Sequence, residues 1–243
     1  MPALLELLRL PYTGSGVLAL AVTLDKPTTK DVLRAHGVAT PPWQVFYDED
    51  ERLDPALRFP LFVKPAREGS GMGVSGDSVV RDLAALRARV AYVRARYRQP
   101  ALVERFVRGR EVTVGLVGNR GATVEPAGGA WSGCQRADGL LALPVYEVDH
   151  ARLPASEGGA YTHRVKGHWD GAWVEGREYH CPARLDLRLD ADDGDRPYVL
   201  EINALPGLAP GVSDLCYEAA AAGIDHGALV LGVLAQARAR LGL

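Results

Sequence analysis

The stretch "ARLDLRLD", residues 183 to 190, alternates strictly between charged and apolar positions. In an extended chain this puts Leu185, Leu187 and Leu189 on one face and Arg184, Asp186, Arg188 and Asp190 on the other. "ADDGD" follows as a turn, and "RPYVLEIN" returns as a second strand, so the pattern predicts a hairpin. Pro206 and Gly207 stop the return strand. Placing Asp186 opposite Glu201 sets Leu185 against Ile202, Leu187 against Leu200 and Leu189 against Tyr198. All the apolar side chains then share one face, and Asp186, Glu201 and Asn203 share the other. A slip of one residue would undo that partition.

Elsewhere the pattern changes period. "RDLAALRARVAYVRARYR" carries Leu83, Leu86, Val90, Val93 and Tyr97 at helical spacing, with its arginines expected on a solvated face. "KPTTKDVLRAHGV" reads as a helix with Pro27 near its start and Gly37 at its end. "PPWQVFY", "PLFVKPA", "ALVERFV" and "REVTVGLVG" read as strands. Residues 125 to 181, rich in Gly, Pro and Trp, are expected to form strands with long loops. The tail from Asp214 reads as two helices broken near Gly223.

The 243 residues suffice for one large domain or two small ones. A net charge of −2 excludes a binder driven by attraction to nucleic-acid phosphates. The three cysteines, Cys134, Cys181 and Cys216, are far apart, which suits a reducing compartment and offers neither a disulfide framework nor a zinc site. No apolar run approaches membrane-spanning length. The expectation is a cytoplasmic protein without nucleic-acid or membrane partners.

Three stretches carry candidate chemistry. Two carboxylates and an amide on one strand face are oxygen ligands for a hard cation such as Mg²⁺, although a solvated strand end would look the same. Carboxylates that close repel one another unless a cation lies between them. Mg²⁺ held by one or two carboxylates usually shares its sphere with phosphate. "FVKPAREGSGMGV" brings Lys64 to a strand end, then a loop with Gly69, Gly71 and Gly73 whose N–H groups can close on phosphate oxygens. The same loop also reads as a plain turn. In "LVERFVRGREVTV", Glu104 and Glu111 flank a short link. There the main chain of Phe106 and Val107 would read an adenine and a carboxylate would hold the ribose.

"LPYTGSGVLALAVTLDKPTTKDVLRAHGVATPPW", "FPLFVKPAREGSGMGV", "ALVERFVRGREVTVGLVGN", "EYHCPA" and "ARLDLRLDADDGDRPYVLEINALPG", in this order, resemble D-alanine-D-alanine ligases of the ATP-grasp superfamily. The resemblance implies an α+β ATP-grasp fold, in which two α/β subdomains clasp a nucleotide between antiparallel sheets. Residues 25–108 would form the small subdomain and 109–243 the C-terminal one, with 1–24 a remnant of a preceding N-terminal domain. It implies ATP and two Mg²⁺ ions as cofactors, with Mn²⁺ as the alternative ion. Lys26 and Lys64 would contact phosphates, and the loop from Glu68 to Val74 would fold over them, with Ser70 near the first substrate. Glu104 and Glu111 match the adenine and ribose carboxylates. Asp186, Glu201 and Asn203 match the metal ligands, Arg184 the oxyanion arginine, and Lys166 a mobile-loop lysine reaching the γ-phosphate. The implied reaction transfers phosphate to an amino-acid carboxylate, D-alanine favoured, and an amine then attacks the acyl phosphate. Such a dipeptide would serve peptidoglycan precursor synthesis. The implied assembly is a homodimer, or a pairing with a separate chain that supplies the N-terminal domain.

The chain departs from the family pattern in three places. Met1 lies about one short helix before "YTGSG", so the family's N-terminal glutamate has no counterpart here. "CPARLDLRLD" runs on without the family's intervening helix, which predicts exposed apolar surface on the sheet. Gly167 follows Lys166 where an aromatic residue is usual, and Val212 occupies the place of a substrate-binding serine, with Ser213 one position late. The alternatives are the same chemistry on other amino acids in a peptide natural-product pathway, or a nucleotide-binding paralogue without turnover.

Overall fold

The computed structural model describes residues 1–119, 131, 134–137, 139–148, 180–181 and 183–243. Helices α1 (Pro2–Leu7) and α2 (Val17–Leu24) lead into α3 (Lys26–Ala35). Asp25 caps α3 by accepting from the Thr28 N–H at 3.0 Å, Pro27 sits in the first turn, and Gly37 leaves the helix at φ +71°. Strands β1 (Trp43–Phe46), β2 (Leu61–Pro65), β3 (Val79–Val80) and β4 (Ala101–Arg105) form an antiparallel sheet in the order β1-β4-β2-β3. Helix α4 (Leu83–Tyr97) lays Leu86, Val90 and Val93 on that sheet, against Phe46, Leu61, Val63 and Val103.

The expected arginine face of α4 is corrected at one position. Arg89 is buried and donates to the Gly73 carbonyl at 2.5 Å and to Ser78 Oγ at 2.9 Å. The helix therefore tethers the glycine loop, a role that helical periodicity does not reveal.

The second sheet contains β5 (Glu111–Gly118), β6 (Gln135–Ala137), β7 (Leu140–Ala142), β8 (Tyr146–Val148), β9 (His180–Cys181), β10 (Ala183–Asp190) and β11 (Arg196–Asn203). Its main path is β11-β10-β5-β7-β6, with β8 and β9 also paired to β5. Only β9 runs parallel to its neighbour among the described strands. Helices α5 (Asp214–Ala221) and α6 (His226–Leu241) meet at a 106° bend. Gly223, at φ +75°, makes that turn. Leu215, Ala219 and Leu229 from these helices join Val117, Leu141 and Leu143 in a second core. Among the described residues no single helix is long and apolar enough to cross a membrane.

The β10–β11 hairpin forms as expected in its first half, with Arg184 opposite Asn203, Leu185 opposite Ile202 and Asp186 opposite Glu201. Beyond that the register is corrected: Leu187 lies opposite Val199 and Leu189 opposite Pro197, because a β-bulge follows Asp186. The bulge leaves Leu200 without a partner in the ladder and places it on the cleft wall. It falls just past the Asp186–Glu201 pair and leaves that pairing intact. The alternation also partitions in reverse of the simplest reading. Asp186, Arg188 and Asp190 are buried, whereas Leu185, Leu187 and Leu189 are half-buried. Two hydrogen bonds fasten β11 to the segment after α3: Val199 N–H donates to the Ala39 carbonyl at 2.9 Å, and Thr40 Oγ1 donates to the Val199 carbonyl at 2.8 Å.

Candidate active site

Between the two sheets lies an open cleft. Its small-sheet wall carries Lys64 from β2, Glu104 from β4, the Phe106–Val107 link and the loop residues Glu68, Gly71, Met72 and Val74. Its large-sheet wall carries Glu111 from β5, Asp186 and Arg188 from β10, and Leu200 and Glu201 from β11; Lys26, the first residue of α3, also lines it. Apolar and charged side chains both line the cleft. Phe62 and Phe106 stack at 6.3 Å, and Val74, Val107 and Leu200 complete an apolar slot fit for a flat ring.

The charged end rests on a buried triad. Glu104 is 2% exposed and accepts Lys64 Nζ at 2.7 Å and Lys30 Nζ at 2.8 Å. Burial alone would push this carboxyl up, but the two ammonium groups overcome it and hold it down at about 2. The lysines respond in opposite directions. Burial is the largest influence on both, and it wins at Lys30, which has Glu104 to support it and Lys64 to repel it. At Lys64 the nearby Glu104, Glu201 and Glu111 outweigh burial and raise it. Two ammonium groups thus share one carboxylate, and of the two lysines Lys64 lines the cleft. Lys26 adds a third ammonium, 3.4 Å from Glu201 and bonded to the Glu68 carbonyl. Lys26 and Lys64 thus present two ammonium groups to the cleft, the kind of charge that attracts a phosphate.

Opposite it, Asp186 accepts from Thr113 Oγ1 at 2.8 Å, from Arg184 Nε and Nη2 at 2.7 and 2.8 Å, and from Asn203 Nδ2 at 3.0 Å. The hairpin thus gathers Asp186, Glu201 and Asn203 at one place. Among the described residues no group of three or more His, Cys, Asp and Glu side chains forms a metal cage. Two carboxylates and an amide instead fit a hard ion that completes its sphere with phosphate oxygens and water. Arg184 also reaches Asp214 at the start of α5. Burial would lower this guanidinium, but Asp186 and Asp214 raise it well above its ordinary value.

A family profile described as the D-ala D-ala ligase C-terminus matches residues 32–132. The D-alanine--D-alanine ligase of Aromatoleum aromaticum is 36% identical over 248 residues, which covers 97% of this chain and 73% of that protein. The chain belongs to the D-alanine-D-alanine ligase family. The Synechococcus sp. (strain JA-3-3Ab) member is 36% identical over 233 residues, covering 90% of this chain and 65% of its own length. The chain therefore spans roughly two thirds of its curated relatives. The Bacillus anthracis ligase, solved in complex with ATP, superposes with a TM-score of 0.67 at 25% identity, covering 99% of this chain and 75% of that one. The fold is accordingly the α+β ATP-grasp. The Aromatoleum alignment is longer than the chain itself, so that relative carries residues inside the shared region that this chain lacks.

Against the family pattern, the cleft gathers Lys26, Lys64, Glu68, Gly71, Glu104, Phe106, Val107, Glu111, Asp186 and Glu201. Asn203 joins through Asp186, and Arg184 lines a neighbouring cavity of about 210 Å³ with Thr113, Asp186 and Asp214. Ser70 is exposed on its loop and, like Gly69 and Gly73, does not line the cleft. Lys166, with Gly167, lies outside the described residues. Ser213 precedes α5 and its hydroxyl accepts the Ala209 N–H at 3.0 Å.

Several site residues escaped the sequence reading. Lys30 was hidden on a helix, Arg188 on an ordinary polar face, and Met72 had no evident purpose until the loop placed it in the cleft. Asp214 is one of them, and Glu218, four residues on, faces the same way along α5. Glu218 is 1% exposed and lies beside the Gly115 main chain of β5. Burial, then Asp214, pushes its carboxyl well above the usual range.

The loop geometry makes a prediction. Ser70, Gly71 and Gly73 all have left-handed φ, at +54°, +71° and +77°. A Cβ at Gly73 would stand 2.4 Å from Pro65 Cγ and 2.7 Å from Cδ, on a ring that cannot swing away. Gly73→Ala is expected to cost about 1–2 kcal/mol in the loop conformation and so weaken ATP about tenfold. Nucleotide titration, with a thermal melt to confirm that the fold persists, checks this.

Proposed function

We propose that the cleft binds ATP with Mg²⁺ and that the chain is the catalytic part of a carboxylate-amine ligase of the D-alanine-D-alanine type. The observation that carries the reading is one cleft that holds Lys26 and Lys64 together with Asp186 and Glu201, with Asn203 bonded to Asp186 and apolar side chains beside them. The phosphates would lie between the lysines and the carboxylates, and the base in the slot. Bound Mg²⁺, held by Asp186, Glu201 and Asn203, would supply charge neutralisation on the phosphates. A substrate carboxylate oxygen attacks the γ-phosphorus, the bond to the bridging oxygen breaks, and ADP leaves. The amine of a second substrate then attacks the acyl carbon, and phosphate departs with the C–O bond electrons and takes up the proton that the amine nitrogen loses. Arg184 would stabilise the oxyanion formed in that step. The lysines position the triphosphate and need not transfer a proton.

The substrate side supports D-alanine less directly than the cleft supports ATP. Val212 is exposed where the family places a serine, and the Asp214 carboxylate lines the cavity beside Arg184. Val212 in the place of that serine favours the second reading, the same chemistry on other amino acids in a peptide natural-product pathway.

Phosphate release from ATP, assayed with a panel of amino acids, tests the proposal. Release with D-alanine supports the ligase of that name, and release only with another amino acid supports the second reading. Nucleotide binding without release under every condition would reduce the chain to a binding module. Within this account Lys64→Met removes a charge-assisted contact of about 2 kcal/mol and is expected to raise the ATP dissociation constant about thirtyfold. Titration calorimetry reads that change.

A further inference from the structure

Arg188 stands apart from the ligand set above. It is buried on β10, two residues beyond Asp186, with its guanidinium 5.2 Å from the centre of the Phe106 ring. Nε and Nη2 donate to Glu111 Oε2 at 3.2 and 2.7 Å, while Nη1 donates to the Val107 carbonyl at 3.1 Å. One rigid, planar group thus bonds two elements that the chain keeps separate, the link after β4 and the first residue of β5. These are the two elements that read the base and the ribose in the proposed nucleotide complex.

We infer that Arg188 is a positioning residue for the nucleoside: it fixes the Glu111 carboxylate relative to the Val107 main chain and so sets how strongly the site recognises the ribose hydroxyls. The inference rests on the ATP reading of the cleft. Three features carry it. The contact to Glu111 is doubled at one oxygen, which restrains the carboxylate against rotation about its last torsion. The contact to Val107 is made to main chain, so it persists whatever the side chain at that position. The Phe106 face beneath the guanidinium holds it by a cation–π contact and limits its alternatives. A carboxylate held in this way meets the hydroxyls without first losing rotational freedom, and preorganisation of that kind is realised as affinity. A lysine could keep the charge but could not bridge both acceptors in one plane.

The effect would therefore fall on the ribose hydroxyls and not on the phosphates or the base. The test compares ATP with 2′,3′-dideoxyATP, which lacks both hydroxyls, in titrations of the wild-type chain, Arg188→Met and Arg188→Lys. Wild type is expected to prefer ATP by tenfold or more. Arg188→Met should lose about tenfold in ATP affinity and less than twofold for the dideoxy analogue, so that the preference collapses. Arg188→Lys should recover part of it. In a Glu111→Ala background, Arg188→Met should leave the remaining preference unchanged, because the carboxylate it positions is gone. An equal loss for both nucleotides would overturn the inference and make Arg188 a packing residue. The same holds if the preference survives intact in Arg188→Met. A wild-type chain that binds neither nucleotide would instead overturn the ATP reading itself.

Discussion

Asp186→Asn is expected to lower ATP turnover about a thousandfold, equivalent to about 4 kcal/mol of lost transition-state stabilisation. The size follows from the density of interactions at this one side chain. Asp186 accepts four hydrogen bonds, from Thr113, Arg184 and Asn203, and faces Glu201 across the hairpin. An asparagine keeps the volume but halves the oxygen count and removes the charge. It also presents N–H groups to Arg184 and Thr113, which are themselves donors. The metal-binding face and the orientation of Arg184 would fail together. Steady-state phosphate release in the presence of Mg²⁺ reads the loss. Unchanged circular dichroism would separate it from unfolding.

The second large effect concerns stability. Glu104→Ala would leave Lys30 and Lys64 buried with no carboxylate between them. Breaking a buried ion pair from one side costs about 3–5 kcal/mol. For a chain of this length that corresponds to a fall of about 10 °C in Tm. Differential scanning calorimetry measures it. The same group gives a pH dependence of determined sign. Its folded value of about 2 lies below the ordinary glutamate value of 4.5, so folding favours the deprotonated form. The stabilisation is complete above pH of about 4.5, is lost as pH falls towards about 2, and amounts to about 3 kcal/mol. Glu104→Ala should therefore show a flatter stability curve than wild type across that interval.

Local features of the site were legible and long-range ones were not. Asp186, Glu201 and Asn203 could be placed together because a two-residue period and a short turn determine which side chains share a face. Lys64 and the glycines could be read because a strand end, a cation and left-handed turn residues stand next to one another in the chain. The bulge after Asp186 could not, since Leu200 is as good a strand residue as any and its displacement depends on the partner strand. Lys30, Arg89 and Arg188 sit in patterns that describe solvated faces equally well. Their burial comes from groups tens of residues away, namely Glu104, Gly73 and Glu111. Asp214 and Glu218 belong to a helix whose docking on β5 decides what they face. For each of these charged side chains the missing information was a tertiary partner.

The most direct measurement of the central claim is the affinity for ATP with Mg²⁺ and with chelator, in wild type and in Asp186→Asn. Mg²⁺ should tighten binding to the wild-type chain at least tenfold, and Asp186→Asn should erase that gain while metal-free binding stays within twofold. Equal affinity with and without Mg²⁺ in wild type, or a gain that survives in the variant, would contradict the account.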